Sequence, residues 1–515
     1  MKIKKLIALL LTTIIPFGGL VACGGGSSSS SLEITVYNAG YGVAWVEAVA
    51  AAFTEETGNE VVVWESADQS IEMNLIAEDQ HTSDIIFMNS EMYSYAEEGH
   101  LADLTDIVYN KVPTGESDGL KTILERCYYA DAMNLNKENK YYYVPFASGI
   151  EAMLYNETVL NQLFPTGWKA NTTDEMFAMF ETIKNSSIAY PMVSTSDYLD
   201  YLTQTWWAQY DGYDTYFDYW RGYKDGVFCS TSPEMAKTPG RLNALTVLTQ
   251  AIKKDYGYMH ASNETFFDSQ YFTNAQMTFT GAAPFSGDVK KAAFYPCGDW
   301  FENEMGTQMN NQTIKMMKVP VISSIKNTFT DSADKLMTDQ ALSAIIDKID
   351  NGVVYSESEY GCKQSTYERV KEARNIVLVN GVLQQAYVPV SSEKKELAGE
   401  FFRFMISNAG QSIFSQEMNG LVMPYGYDVE SDENVEISTF ARSVLDCVRS
   451  DDTLFVYRDI SQTLASRGGI AGFTTNKNKY FLKLYTGEMT AQGVYDDTYD
   501  YLSGQWRTIL TNCGF

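Results

Sequence analysis

From Leu32 onward the apolar residues switch between two periods, and that alternation constrains the fold more than any other feature of the chain. "LEITVYNAGYG" starts as a short apolar strand around Ile34 and Val36 and ends in a small-residue turn holding Gly40 and Gly42. "VAWVEAVAAAFTEETG" then sets Val43, Val46, Ala50 and Phe53 on a helical recurrence that Gly58 closes. Strand "EVVVWES", a helix around "SIEMNLIAED", strand "DIIFM" and a helix from about Glu91 continue the series. Such an order predicts a parallel sheet covered by helices. Ligands of open sheets sit beyond the carboxyl ends of the strands, which puts the turns Asn38–Gly42 and Asn89–Tyr93 at the edge of an expected cleft.

Further on, "YYYVPFASGIEAMLYN" predicts two strands interrupted at Pro145 and Gly149, as a crossover between lobes would be. In "TTDEMFAMFETIK", Thr172 and Glu175 have the spacing of a capping box. Later helices are expected around Leu199–Gln209, Leu242–Lys253, Thr338–Ile349, Ala398–Met418, Ser438–Arg449 and Thr490–Leu510, with no internal repeat.

Ahead of this region, Lys2, Lys4 and Lys5 form a cationic head before the apolar stretch Leu6–Leu20, the pattern of a secretory leader. The stretch is shorter than the roughly 20 apolar residues of a spanning helix and is broken by Pro16, Gly18 and Gly19. Leu20-Val21-Ala22-Cys23 resembles the bacterial lipobox, which implies cleavage before Cys23 and acyl chains on that residue. The Gly/Ser tract Gly24–Ser31 would follow as a coil reaching about 16 Å.

The 515 residues carry a formal charge of −28, and loss of the leader would remove three lysines. Nucleic acid is thereby a poor partner and strongly anionic ligands are disfavoured, while neutral sugars and cations meet no such penalty. Six further cysteines, at 127, 229, 297, 362, 447 and 513, are too widely spaced for a compact zinc pattern and allow 15 disulfide connectivities. His81, His100 and His260 include no helical i, i+4 pair, so neither a metal nor another cofactor is expected.

Five segments, taken in order behind the lipobox, resemble the family 1 extracellular solute-binding proteins, the ABC importer receptors that include the maltose-binding proteins. They are "EITVYNAGYGVAWVEAVAAAFTEETGNEVVV", "TSDIIFMNSEMYSYAEEGHLADL", "YYYVPFASGIEAMLYNETVL" with "TTDEM", "AAFYPCGDWFENEM" and "AYVPVSSEKKELAGEFFRFMISNAGQSIF". The resemblance implies an α/β fold of the type II periplasmic-binding-protein kind, with two lobes hinged about a cleft. Carried onto this chain it implies a leader at 1–22, a lipidated tether at 23–31, a first lobe of 32–147 plus 385–450, and a second of 148–384 plus 451–515. The surplus over typical members falls between about Trp300 and Asn380. It also implies a monomeric, lipid-anchored receptor on the outer face of a cell without an outer membrane, binding a carbohydrate, most plausibly an oligosaccharide, for a permease.

Sugars are gripped by aromatic faces and planar polar side chains. Trp300 in "CGDWFE" stands where the family carries a cleft tryptophan, with Asp299 beside it as a hydroxyl acceptor. Trp206 and Trp207 in "TQTWWAQYDGY" resemble the family's aromatic stretch; adjacent helical residues point about 100° apart, so one is expected in the core and the other at the cleft. The first-lobe turns offer Asn38, Tyr41, Asn89, Glu91 and Tyr93, although "MNSEMY" lacks the arginine and tryptophan of maltodextrin receptors, and capping competes for Asn38 and Asn89. Glu151 is either a cleft residue or a strand-edge charge.

The chain has no Walker A motif and no His-Glu-x-x-His, and "GESDG" at Gly115–Gly119 reads as a turn rather than a nucleophile elbow. Two other readings remain: a lipid-anchored glycoside hydrolase, which needs a carboxylate pair about 5 to 9 Å apart, and an importer receptor for peptides, sugar phosphates or another polar solute.

Overall fold

A computed structural model describes residues 31–117, 119–260, 272–282, 290–309, 312–474 and 477–515. The leader, Cys23 and all of the tether but Ser31 lie outside the described residues. In chain order the strands are β1 (Leu32–Tyr37), β2 (Val61–Ser66), β3 (Ile85–Asn89), β4 (Tyr143–Pro145), β5 (Ile150–Asn156), β6 (Ala189–Val193), β7 (Tyr223–Lys224), β8 (Val227–Phe228), β9 (Met259–His260), β10 (Lys291–Gly298), β11 (Ile314–Met317), β12 (Ile376–Val379), β13 (Gln384–Tyr387) and β14 (Leu454–Val456).

One sheet runs β2-β1-β3-β13-β4, with β1 parallel to β2 and β3 and with β13 antiparallel to β3 and β4. Its first three strands are the ones predicted from the opening alternation. The helix Ala44–Thr57 lies on it through Trp45, Val46, Val49, Ala50 and Phe53, and stops at Gly58, whose φ of 75° is left-handed. Trp45 anchors this core, stacked on Phe146 and edge-on to Phe87 and Phe414.

A larger sheet runs β14-β12-β5-β10-β6-β9, with β11 also paired to β5. The helix Ser196–Asp211 packs against this sheet on one side and against the helix Pro239–Ile252 on another, so it is buried nearly all round.

The chain passes between the sheets three times: through adjoining strands from β4 to β5 and from β12 to β13, and again between β13 and β14. The first two crossings touch backbone to backbone. Asn380 N–H donates to Gly149 O at 2.7 Å, and Gly149 has a φ of 61°. A Cβ on Gly381 would lie 2.5 Å from Ser148 O and 2.6 Å from Ala147 O. Glycine is needed there because the facing link between β4 and β5 leaves no room for a side chain.

Several local expectations change. Thr172 Oγ1 caps Glu175 N–H, but the Glu175 carboxylate turns to Asn171 N–H, so the reciprocal half of the capping box is displaced by one residue. The helix expected over Ala398–Met418 breaks into Lys395–Ile406 and Asn408–Glu417, because Ser407 leaves helical geometry and caps Gly410 N–H. The helix Thr439–Val448, expected with the first lobe, lies on the second sheet: Ser443 Oγ accepts Met316 N–H at 2.8 Å, and Phe440 meets Phe301. Cys127, Cys229, Cys297, Cys362, Cys447 and Cys513 are all buried free thiols. Ser117 sits in a turn closed by Leu120 N–H to Ser117 O, and no strand enters it.

Candidate functional site

A cavity of about 370 Å³ opens between the two sheets, where the loops after β1 and β3 face the start of the helix Ser196–Asp211, the end of β10 and the first two crossings. Of the residues expected there, Trp300, Tyr41, Asn89 and Glu91 line it.

Trp300 is 7% exposed and reaches the cavity because two glycines make room for its ring. A Cβ on Gly298 would come within 2.0 Å of the indole, and one on Gly40, from the opposite lobe, within 2.9 Å. Tyr41 and Tyr198 stand edge-on to it at centroid distances of 6.2 and 6.4 Å. Its wall is therefore assembled from both lobes.

Asp299 does not line the cavity. Its side chain is 2% exposed and joins the lobes: the Tyr41 hydroxyl donates to Oδ1, and Ile150 N–H donates to Oδ2 at 3.1 Å. Burial pushes its pKa from 3.8 up to about 6, against the lowering effect of these donors. Beside this contact, Asn303 Nδ2 donates to Gly40 O at 2.6 Å, a second bond across the seam.

Trp206 and Trp207 are both core residues, at 0% and 2% exposure. Trp206 Nε1 donates to Pro320 O at 3.1 Å; Trp207 Nε1 donates to Asp211 at 2.8 Å, with Tyr216 and Tyr219 against its ring. The expectation that one would face the cleft fails because their helix is covered on opposite sides at that end. Its first turns do reach the cavity, through Asp197, Tyr198, Asp200, Tyr201 and Gln204. Tyr93 is likewise internal, donating to Ala132 O at 2.7 Å beside Tyr143, and Asn38 turns away to Glu65 at 2.8 Å.

Several lining residues carried little sequence signal. Glu151 is 3% exposed on β5 and lines the cavity. Arg458 follows β14 and pairs with Asp200, which is 1% exposed. Glu304 accepts a hydrogen bond from Gln276, and burial holds its carboxyl above the ordinary range. Glu91 is raised by the same cause and partly drawn back by Arg458. Aromatic faces and ionised or hydrogen-bonding groups thus meet in one enclosed space, which suits reversible capture of a small polar molecule. Among the described residues no group of three or more His, Cys, Asp or Glu is placed to hold a metal ion.

No curated protein matches the sequence significantly. A solved structure of the binding protein MsmE from Bacillus subtilis, in an open conformation, aligns over 94% of this chain and 99% of its own with a TM-score of 0.53. At 13% identity that likeness is one of fold. The model of a family described as bacterial extracellular solute-binding protein matches residues 48–436. With most of its length and its two-lobed fold accounted for in this way, the chain belongs to the bacterial extracellular solute-binding proteins, receptors that take up a solute outside the cytoplasm for an ABC importer.

Proposed function

We propose that this receptor is held at the cell surface by lipid on Cys23 and captures a carbohydrate in the cavity between its lobes for delivery to its permease. The observation that carries the ligand class is the lining itself: the rings of Tyr37, Tyr41, Tyr198, Tyr201 and Trp300 stand with Gln69, Asn89, Gln204 and Gln384 in one space. Rings cover the C–H faces of a sugar, and amides and carboxylates take its hydroxyls. A volume of about 370 Å³ lies at the small end of the range for ligand pockets, so the closed site favours a short saccharide over a long chain. Contact with both lobes gives the ligand its preference for the closed form.

Calorimetry against a panel of mono- and oligosaccharides, phosphorylated sugars and short peptides tests this reading. Saccharides are expected to bind, while phosphorylated sugars and peptides do not; binding confined to peptides or phosphorylated sugars would overturn it. The hydrolase alternative is tested on any saccharide that binds, by following reducing ends over time. Sustained release would replace the receptor by an enzyme.

A further inference from the structure

We propose that the second lobe carries a further binding site, a crevice beside the end of β11 that takes an oxyanion, a carboxylate or a phosphate, on Lys318 and Arg374. It lies outside the cleft and does not depend on what the cavity holds.

The site follows from the way β5 shares one of its edges between two partners. β10 covers one edge of β5; on the other, β11 pairs with Met153–Asn156 and β12 with Ile150 and Glu151. Lys318 leaves the sheet where β12 takes over from β11, and its Nζ donates to Asn375 Oδ1, just ahead of β12, at 2.9 Å. The crevice there has a volume of about 1130 Å³ and is lined by β11 and by the helices Asp339–Asp350, Gln364–Asn375 and Thr439–Val448.

Six cationic side chains line it, in a chain whose formal charge is −28. Five of them have carboxylate partners. Lys315 meets Glu157 at 2.8 Å, Arg374 meets Asp350 at 2.7 Å and Lys371 meets Asp452 at 2.7 Å, while Arg442 and Arg449 are met by Glu430 and Asp446. The sixth, Lys318, has the neutral amide of Asn375 and no carboxylate in contact among the described residues. Asp350 and Asp452 attract it from farther off, but each is already bound to its own cation. Burial and the Arg374 guanidinium together hold its pKa below the ordinary 10.5. Arg374 is itself incompletely met, because Nε and Nη2 bind Asp350 and Nη1 is buried with no hydrogen-bond partner.

Two neighbouring cations that share one carboxylate are therefore one negative charge short. An oxyanion seated on Lys318 offsets their repulsion and brings an acceptor to the guanidinium, which a neutral saccharide cannot do. The volume leaves room for the rest of the molecule that carries the anion, against Tyr355 and Tyr367, whose rings stack at 4.6 Å.

Calorimetry on the intact protein at pH 7 in low-salt buffer, with inorganic phosphate and with succinate, tests the site and separates the two anions. At least one is expected to bind with a Kd at or below about 1 mM. Lys318→Met keeps much of the side chain's bulk and removes its charge, and should weaken that anion by about tenfold or more. Lys318→Arg, which keeps the charge, should restore most of the affinity. Binding of neither anion to a protein shown to be folded by its melting transition overturns the inference, as does an affinity that Lys318→Met leaves unchanged. Binding that survives Lys318→Met but is lost in Trp300→Ala would place the anion in the cleft and overturn it as well.

Discussion

Replacing Asp299 by asparagine removes one ionisable group from the seam between the lobes and almost nothing of its shape. In the closed arrangement its carboxyl is out of water, takes the Tyr41 hydroxyl from the opposite lobe, and titrates at about 6 instead of 3.8. When the lobes part, Tyr41 withdraws, water reaches the carboxyl, and its pKa falls back toward 3.8. The closed form therefore holds the proton more tightly. Its contribution to closure is fully present below pH 3.8 and is lost as the pH rises through about 6. The difference of roughly two units corresponds to about 3 kcal/mol, and between pH 7 and pH 5 it should shift the open–closed equilibrium about tenfold toward closed. The measurement is an interlobe distance in the ligand-free protein carrying Cys23→Ser, from spin labels on cysteines introduced at the exposed Glu56 and Thr182, the six thiols among the described residues being buried. Glu91 and Glu304 titrate in the same direction, so the decisive quantity is the difference between the two proteins. Asp299→Asn should close less steeply with acid, by about tenfold over that interval. Tyr41→Phe should open the protein at pH 7 by about 1.5–3 kcal/mol, the worth of a hydrogen bond to a charged group, and by less at pH 5. An unchanged pH response in Asp299→Asn would refute the coupling of this carboxyl to closure.

Trp300→Ala should weaken a bound saccharide by about 1–2 kcal/mol, roughly 5- to 30-fold, as read by calorimetry; a change below about threefold would remove Trp300 from the site. Gly381→Ala forces a methyl group against two carbonyl oxygens of the facing crossing. It should cost about 1–3 kcal/mol in thermal unfolding, and an unchanged melting temperature would mean that the crossings are not locked together. Cys23→Ser should release the protein into the medium with its affinity intact, and retention in the membrane fraction would contradict the lipid anchor.

The opening sheet was legible because each of its elements is short and bears its own period, and because Gly58 marks a helix end that chain geometry enforces. The break at Ser407 was legible in principle, since a serine three residues before Gly410 is a cap signal inside an otherwise helical run. The site was harder. The helix around Leu199–Gln209 is legible from its period, but periodicity draws attention to its tryptophans and does not say which end of a doubly covered helix meets a cavity, where Tyr198 and Tyr201 stand. Asp299 was placed at the cleft by its neighbour Trp300; what it does is set by Tyr41, 258 residues away. Arg458 had no local pattern at all, since its partner Asp200 is brought to it only by the packing of β14 beside β12.

The carboxyls of the seam and those of the cavity act on closure in the same sense when the site is empty, and this connects the binding of the ligand to the movement of the lobes. Burial raises the pKa of Asp299, Glu91 and Glu304. At pH 7 each therefore opposes empty closure by about 1.4 kcal/mol per unit of its shift. A solute whose hydroxyls donate hydrogen bonds to Glu91 and Glu304 stabilises their charged forms, so part of that penalty is relieved on binding. Asp299, sealed outside the cavity between Tyr41 and Ile150, receives no such relief. Acid should thus promote closure of the empty receptor more strongly than closure of the loaded one, and an interlobe distance that responds equally to pH with and without solute would refute the link between these carboxyls and the ligand.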